Sequence, residues 1–359
     1  MIERSARMLA IIVARIGDTV LATPVLRALR AAAPEGSLDV IAHPKRIAVL
    51  EGLPFIDRLV PASGMRLVLQ RIRRTRRYDY AFVFGNDRPL FAHAFAVASH
   101  VVGFRQADEA LNARMHVAVE RPSSLEHAVL ERMRLARAAG IESTNLRLEY
   151  RVSDQERSAA EQFVALLSSP RPGPLLAVVP TSFPTKAYRD WPEERFAALF
   201  ERLFAAWPEA GVILIGDARA RDLTRRLSES FPGRVTSAAG RRSLRESAAL
   251  IAGADCYVGV DTGPTHIAGA LDVPMVALYH CRHRGRYLAP LQRPSLEVIE
   301  HPATDAECTV NTRMDAIDAE TVWHAVARQL AVRARADQGV EGARSRQDVH
   351  DGHRGGAER

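Results

Sequence analysis

Twice along this chain, short apolar runs alternate with stretches of helical period, and that alternation restricts the fold to one class. In the first set, Leu9 to Ala14, Leu38 to Ala42, Tyr80 to Phe84 and Val101 to Phe104 read as strands, with Leu21 to Ala33 and Leu90 to Ser99 as helices. In the second set the strands are Leu175 to Val179, Gly211 to Ile215, Val235 to Ser237, Cys256 to Val260 and Met275 to Leu278. The helices between them are Glu193 to Ala206, Ala218 to Glu229, Ser243 to Ala252 and Pro264 to Ala270. Strands separated by helices need crossover connections, and crossovers produce parallel sheets. The two sets are divided by a polar helical stretch, 152–167, that breaks at Ser168-Ser169-Pro170-Arg171-Pro172-Gly173-Pro174. The prediction is an α/β protein with two Rossmann-like parallel-sheet domains, 1–167 and 175–318, joined by a linker at 168–174. Their carboxyl-terminal sheet edges face a central cleft. A last helix, 319–332, follows, and residues 333–359, rich in Arg, Gly, Asp and Gln without an apolar period, read as a disordered tail.

A length of 359 residues fits two such domains. Cys256, Cys281 and Cys308 show neither CxxC pairing nor zinc-type His/Cys spacing, which predicts a reducing compartment, no disulfide and no cysteine metal site. The apolar run Met8 to Ala14 ends at Arg15 after about seven residues with no clean cleavage site, so it reads as a first strand rather than a signal peptide. No stretch approaches the roughly 20 apolar residues of a membrane span, so membrane contact is expected to be peripheral. Part of the formal charge of +7 lies in the tail, and the other concentration is Arg66, Arg71, Arg73, Arg74, Arg76 and Arg77, interleaved with Leu67, Val68, Leu69 and Ile72. A helix of that kind is either a contact for a phosphate-rich surface or a solvated face. Nucleic acid is not an expected partner.

The loops decide what the cleft binds. After the first strand comes Arg15-Ile16-Gly17-Asp18-Thr19, with one glycine rather than G-x-G-x-x-G, and no P-loop motif occurs, which argues against dinucleotide oxidoreductases and P-loop NTPases. The strand Cys256 to Val260 runs into Asp261-Thr262-Gly263-Pro264-Thr265-His266. Gly263 permits close approach of a ligand to the backbone and Pro264 suits a first helical position. The exposed N–H groups and positive end of that helix suit a pyrophosphate. Asp261 alone could be a helix cap and His266 alone a structural histidine; together the segment is more specific. After Val179, the loop Pro180 to Asp190 offers Thr181, Ser182, Lys186 and Arg189 to close on a diphosphate, with Lys186 and Arg189 competing for the phosphate contact. Asp18, in the corresponding turn of the first domain, is either a general base facing across the cleft or a helix cap.

These residues resemble glycosyltransferase family 9, the ADP-heptose:lipopolysaccharide heptosyltransferases. The likeness is carried by Ile11 to Arg30, by Lys186 with Trp191-Pro192-Glu193-Glu194-Arg195-Phe196, by Ala249 to Leu271 and by Met314-Asp315-Ala316-Ile317. The resemblance implies a GT-B fold and an inverting transfer of heptose from ADP-heptose to the lipopolysaccharide inner core, without a required metal. It implies a cytoplasmic enzyme, peripheral on the inner membrane, whose last helix crosses back onto the first domain. Position by position, Asp18 corresponds to the general base, and Lys186, Thr181 and Ser182 to a diphosphate clamp. Asp261 corresponds to a binder of sugar hydroxyls, Thr262 and Gly263 to backbone phosphate donors, and His266 to a support of the same site. Because the family's acceptor is anionic, Arg15, Arg73 and Arg74 become candidate acceptor contacts. The chain departs from the pattern where Ala187-Tyr188-Arg189-Asp190 separates Lys186 from Trp191-Pro192, and where Cys281 and Cys308 are too few for a metal site of their own. The alternatives are a related GT-B transferase or epimerase using another nucleotide sugar, and a non-catalytic nucleotide-sugar-binding protein.

Overall fold

Each half of the chain builds a six-stranded parallel sheet covered by helices, as the computed structural model shows for residues 2–63, 77–165 and 173–332. The first sheet contains β1 (Arg7–Ile12), β2 (Ser37–Ala42), β3 (Arg58–Pro61), β4 (Tyr78–Val83), β5 (Ala98–Phe104) and β6 (Val117–Val119). The second contains β7 (Leu175–Val179), β8 (Gly211–Leu214), β9 (Val235–Ser237), β10 (Cys256–Val260), β11 (Met275–Tyr279) and β12 (Leu296–Glu300). The spatial orders are β3-β2-β1-β4-β5-β6 and β12-β11-β10-β7-β8-β9, the same doubly wound order read from opposite edges. The order reverses between β1 and β4 and between β7 and β10, so each half opens a crevice at the carboxyl ends of those strands.

The central strands were readable because both of their faces are covered, which leaves near-continuous apolar runs: β7, β10 and β11 are buried throughout. The edge strands β3, β6 and β12 were not foreseen. They are short, half exposed and interrupted by charges such as Arg58, Glu297 and Glu300, which erases the apolar signal. The predicted helix Leu21 to Ala33 is α2 (Thr23–Ala32), with Pro24 in its first turn, and a short helix not foreseen, α1 (Ile16–Val20), precedes it. The remaining longer helices are α3 (Arg88–Val97), α4 (Ala128–Ala138), α5 (Asp154–Ala165), α6 (Glu193–Ala206), α7 (Arg221–Ser230), α8 (Leu244–Ala252), α9 (Gly263–Ala270) and α10 (319–332). Among the described residues, no helix is long and apolar enough to cross a membrane.

Three expectations about organisation are corrected. The boundary precedes α5, because Ile141, Leu148 and Tyr150 are buried in the first core while Ala160 of α5 packs with Leu175, Ala177 and Val179 of the second. The polar helical stretch 152–167, assigned from sequence to the first domain, therefore belongs with the second; residues 168–172 of the expected linker lie outside the described residues. The last helix does not cross back onto the first domain. Val322, Ala325, Val326 and Leu330 form one helical stripe buried with Leu199, Leu203 and Val276 of the second domain. Trp323 meets Trp207 edge-on at 5.6 Å, and Trp191 donates its indole N–H to the carbonyl of Ile317 at 2.8 Å. Finally, Cys281 and Cys308, which sequence spacing had left apart, are joined in a disulfide. The two cysteines are 27 positions apart, with β12 between them, a proximity no local spacing could reveal. The tail 333–359 and Arg66, Arg71, Arg73, Arg74 and Arg76 lie outside the described residues.

Candidate active site

Two strand-to-helix turns meet where the halves touch. After β1, Arg15 is extended and α1 begins at Ile16, which puts Asp18 in the first helical turn. Its carboxylate is 45% exposed and accepts a hydrogen bond at 2.7 Å from the guanidinium of Arg132 on α4. Ala14, Asp18, Phe84, Gly85, Arg121 and Arg132 surround a cavity of about 200 Å³ on this side. Asp18 thus borders the cavity of the first domain with its carboxylate tethered from below.

After β10, Thr262 is extended and α9 begins at Gly263 with Pro264 in its first turn. Asp261 is 3% exposed, and its Oδ2 accepts from Nη1 of Arg189 at 2.5 Å while Oδ1 lies 3.8 Å from Nε2 of His266. Burial pushes the Asp261 carboxyl up to about 6, against the downward pull of Arg189 and Lys186 and with a further upward push from Asp18. Burial likewise drives His266 down to about 4, so its imidazole is neutral near pH 7. Its Nδ1 is buried without a hydrogen-bond partner among the described residues.

The two turns interlock through their glycines. A Cβ on Gly17 would lie 2.7 Å from Cδ2 of His266, and one on Gly263 would lie 2.6 Å from Cγ2 of Ile16. Sequence reasoning gave Gly263 the task of admitting a ligand; it lines a cavity, and its close neighbour is also Ile16 of the opposite domain. Ala248 of α8 and Ile267 of α9 are correspondingly buried with the first domain's core. On the outer side, Arg245 of α8 bonds Glu156 at 2.7 Å and the carbonyls of Ala48 and Arg151 at 3.0 and 2.9 Å, tying both domains together.

The loop after β7 separates the two cations that the sequence left in competition. It forms a short 3-10 turn, Pro184–Arg189. Arg189 turns inward to Asp261, whereas Lys186 Nζ stands 3.5 Å from Nε2 of His283. Ser182 donates its hydroxyl to the carbonyl of Lys186 at 2.7 Å and its N–H to Asp190 at 2.6 Å, so it braces this loop. Thr181, Thr262 and Gly263 line a second cavity, about 240 Å³, whose apolar walls include Val179, Ile215 and Leu244. Arg219 and Arg242 line it as well. Arg15 is exposed and lies 5.4 Å over the ring of Phe183, which also lines this second cavity, so it borders this cavity rather than that of Asp18. Arg73 and Arg74 lie outside the described residues.

Sequence reasoning missed Arg132, Arg219 and Arg242, and also the pair in which the Tyr188 hydroxyl and Nε2 of His283 lie 2.8 Å apart. Arg132 is 114 positions from Asp18, on a helix whose apolar period is weak, so no sequence signal linked them. Side chains of metal-ligand type gather elsewhere, at His280, Cys281 and Cys308.

Two doubly wound sheets with their switch points facing one cleft are the GT-B architecture, and solved structures share it. The glycosyl transferase family 9 structure from Veillonella parvula DSM 2008 superposes with a TM-score of 0.78 at 19% identity, covering 92% of this chain and 99% of that one. The E. coli ADP-heptose lps heptosyltransferase II structure does so at 0.73 and 23%, covering 91% and 99%. In sequence, the chain is 27% identical to lipopolysaccharide heptosyltransferase 2 of Escherichia coli K12 over 285 residues, 74% of this chain and 80% of that protein. Residues 69–316 match Glycosyltransferase family 9 (heptosyltransferase), and the chain belongs to that family. It is a glycosyltransferase of the heptosyltransferase family of lipopolysaccharide core biosynthesis.

Proposed function

We propose that this enzyme transfers a heptose from ADP-heptose to a hydroxyl of the lipopolysaccharide inner core, with inversion, using Asp18 as general base. The observation that carries this reading is the meeting of the Asp18 turn with the Asp261–His266 turn at the carboxyl ends of β1 and β10. The nucleotide occupies the cavity between the β7 loop and α9, its base against Val179, Ile215 and Leu244. The diphosphate lies at the start of α9, where backbone N–H groups of Thr262 and Gly263 and the helix dipole favour negative charge. Lys186 is the phosphate contact; Arg189 holds Asp261, which binds sugar hydroxyls. Thr181 completes the clamp, Ser182 supports it through the loop, and neutral His266 orients Asp261.

In the transfer, the acceptor oxygen attacks the anomeric carbon as the bond to the β-phosphate oxygen breaks. The hydroxyl proton passes to Asp18, which Arg132 keeps aimed into the cavity. The leaving ADP carries its charge onto Lys186 and the α9 terminus, so no step needs a metal. The stretch from Arg66 to Arg77, with Arg73 and Arg74 at its centre, meets the anionic acceptor or the cytoplasmic face of the inner membrane.

Calorimetric titration with ADP, UDP, GDP and CMP tests the donor, with ADP expected to bind tightest; clear preference for another nucleotide overturns the heptose assignment. Replacing Arg73 and Arg74 by Ala should weaken binding to anionic vesicles or acceptor while ADP affinity stays unchanged. No loss would make the stretch a solvated face.

A further inference from the structure

Apart from the transfer site, one cluster brings soft and nitrogen ligands to a single point. Cys281 follows directly on His280 after β11, and Cys308 returns from the loop beyond β12. The side-chain ligand atoms of His280, Cys281 and Cys308 all lie within 4.8 Å of one another. Nδ1 of His280 is 3.7 Å from the sulfur of Cys281 and 4.0 Å from that of Cys308. The imidazole is fully buried, and its Nε2–H donates to the carbonyl of Thr312 at 2.9 Å, which makes Nδ1 the unprotonated ring nitrogen; beside the sulfurs it accepts the N–H of Arg282. A second ring nitrogen anchored to a carbonyl is the arrangement that orients metal-bound histidines.

We propose that, with Cys281 and Cys308 reduced, His280, Cys281 and Cys308 bind a soft divalent cation of the zinc type, with water as fourth ligand. In this structure the sulfurs are bonded to each other, so the metal and the disulfide are alternative states of one site. A dithiol reductant gives two electrons and two protons to the disulfide and itself becomes a disulfide. The two thiols then release two protons as their sulfurs bind the cation. Bound at roughly 2.3 Å each in tetrahedral geometry, the sulfurs must move to roughly 3.8 Å apart. The Cα atoms are 5.9 Å apart, so side-chain rotation suffices. Nδ1 exchanges the N–H of Arg282, now at 3.1 Å, for the metal, and the amide of this exposed residue turns to solvent.

The site is structural rather than chemical. The ring of Tyr188 packs edge-on against His280 at 4.9 Å, and its hydroxyl reaches His283. Either state therefore fastens the 308–312 segment beneath the loop that carries Lys186.

The test uses the full chain, reduced with a phosphine, freed from the reductant and titrated with Zn²⁺ or Co²⁺. One cation per chain should be retained after gel filtration, with thiolate-to-cobalt charge-transfer absorption. Zinc should also shield two thiols from a thiol reagent, while the oxidised chain retains no cation. Cys281→Ser or Cys308→Ser should abolish the charge-transfer band or halve it. His280→Ala should weaken binding by more than the roughly 10–100-fold cost of losing an outer-shell partner. Cys256→Ser, at a buried thiol away from the cluster, should change nothing. Thiols of the reduced wild-type chain that react equally with and without zinc overturn the proposal without reliance on any variant. So does a cobalt band that survives loss of both cysteines.

Discussion

Asp18 and Asp261 each follow a central strand, β1 in one half and β10 in the other, and each stands where a helix begins or is about to begin. Their surroundings diverge. Asp18 is 45% exposed and open to a cavity, held by one guanidinium, whereas Asp261 is 3% exposed and enclosed by Arg189 and His266. The same backbone device thus opens one carboxylate to a cavity and buries the other against a guanidinium and an imidazole. A proton acceptor needs access, and a recognition group needs fixed geometry.

The comparison breaks most visibly at Asp18. Asp18→Asn should cut transfer by about 10³-fold or more, measured as kcat, while calorimetry gives an ADP affinity within a few-fold of wild type. Unchanged turnover would remove Asp18 from the chemistry. Arg189→Ala should instead act on stability: leaving Asp261 buried without its cation should cost about 3 kcal/mol in denaturant unfolding. A loss no larger than that of an exposed pair would mean that Arg189 does not support Asp261.

The interlocked glycines should show intermediate effects. Gly17→Ala presses on the His266 ring and Gly263→Ala on Ile16, so each should destabilise by about 1–3 kcal/mol, and the double variant should be non-additive. Strict additivity would argue that the two turns yield independently.

Protonation sharpens the contrast further. The folded chain holds the Asp261 proton more tightly than the unfolded one, so this group's contribution to stability is full below about 4 and is lost as pH rises to about 6. His266 has the opposite sign: its contribution is present above 6.5 and is lost as pH falls towards about 4. The two slopes oppose each other, so unfolding curves across this window should steepen upward with pH in Asp261→Asn and slope downward in His266→Gln. Donor affinity in the wild type should fall as pH drops through about 6, and a flat profile would remove ionised Asp261 from sugar binding. The smallest effect is expected at Thr262. Its side chain makes no capping hydrogen bond, so Thr262→Ala should change stability by less than about 0.5 kcal/mol.

Much of this arrangement was legible in the sequence. Strands β7, β9 and β10 stand at the predicted residues, as does helix α6, because their residues are buried in a pattern that repeats locally. The start of α9 was readable from Gly263 and Pro264, whose backbone preferences act within one turn. The placement of Asp18 and Asp261 at the carboxyl ends of parallel strands followed from the same local patterns. The half-exposed edge strands were not legible, since partial burial imposes no clean alternation.

By itself, then, the sequence determined two doubly wound domains and the turns that carry the candidate site. Tertiary structure alone decided that Arg189 rather than Lys186 holds Asp261, that Arg132 steadies Asp18, and that Gly17 and Gly263 exist for each other's domain. It alone docked α10 on the second domain and brought Cys308 to Cys281. The physical reason is range: periodicity and turn chemistry act over a few residues. Partners 72, 114 or 27 positions apart are selected only when whole sheets and helices have packed.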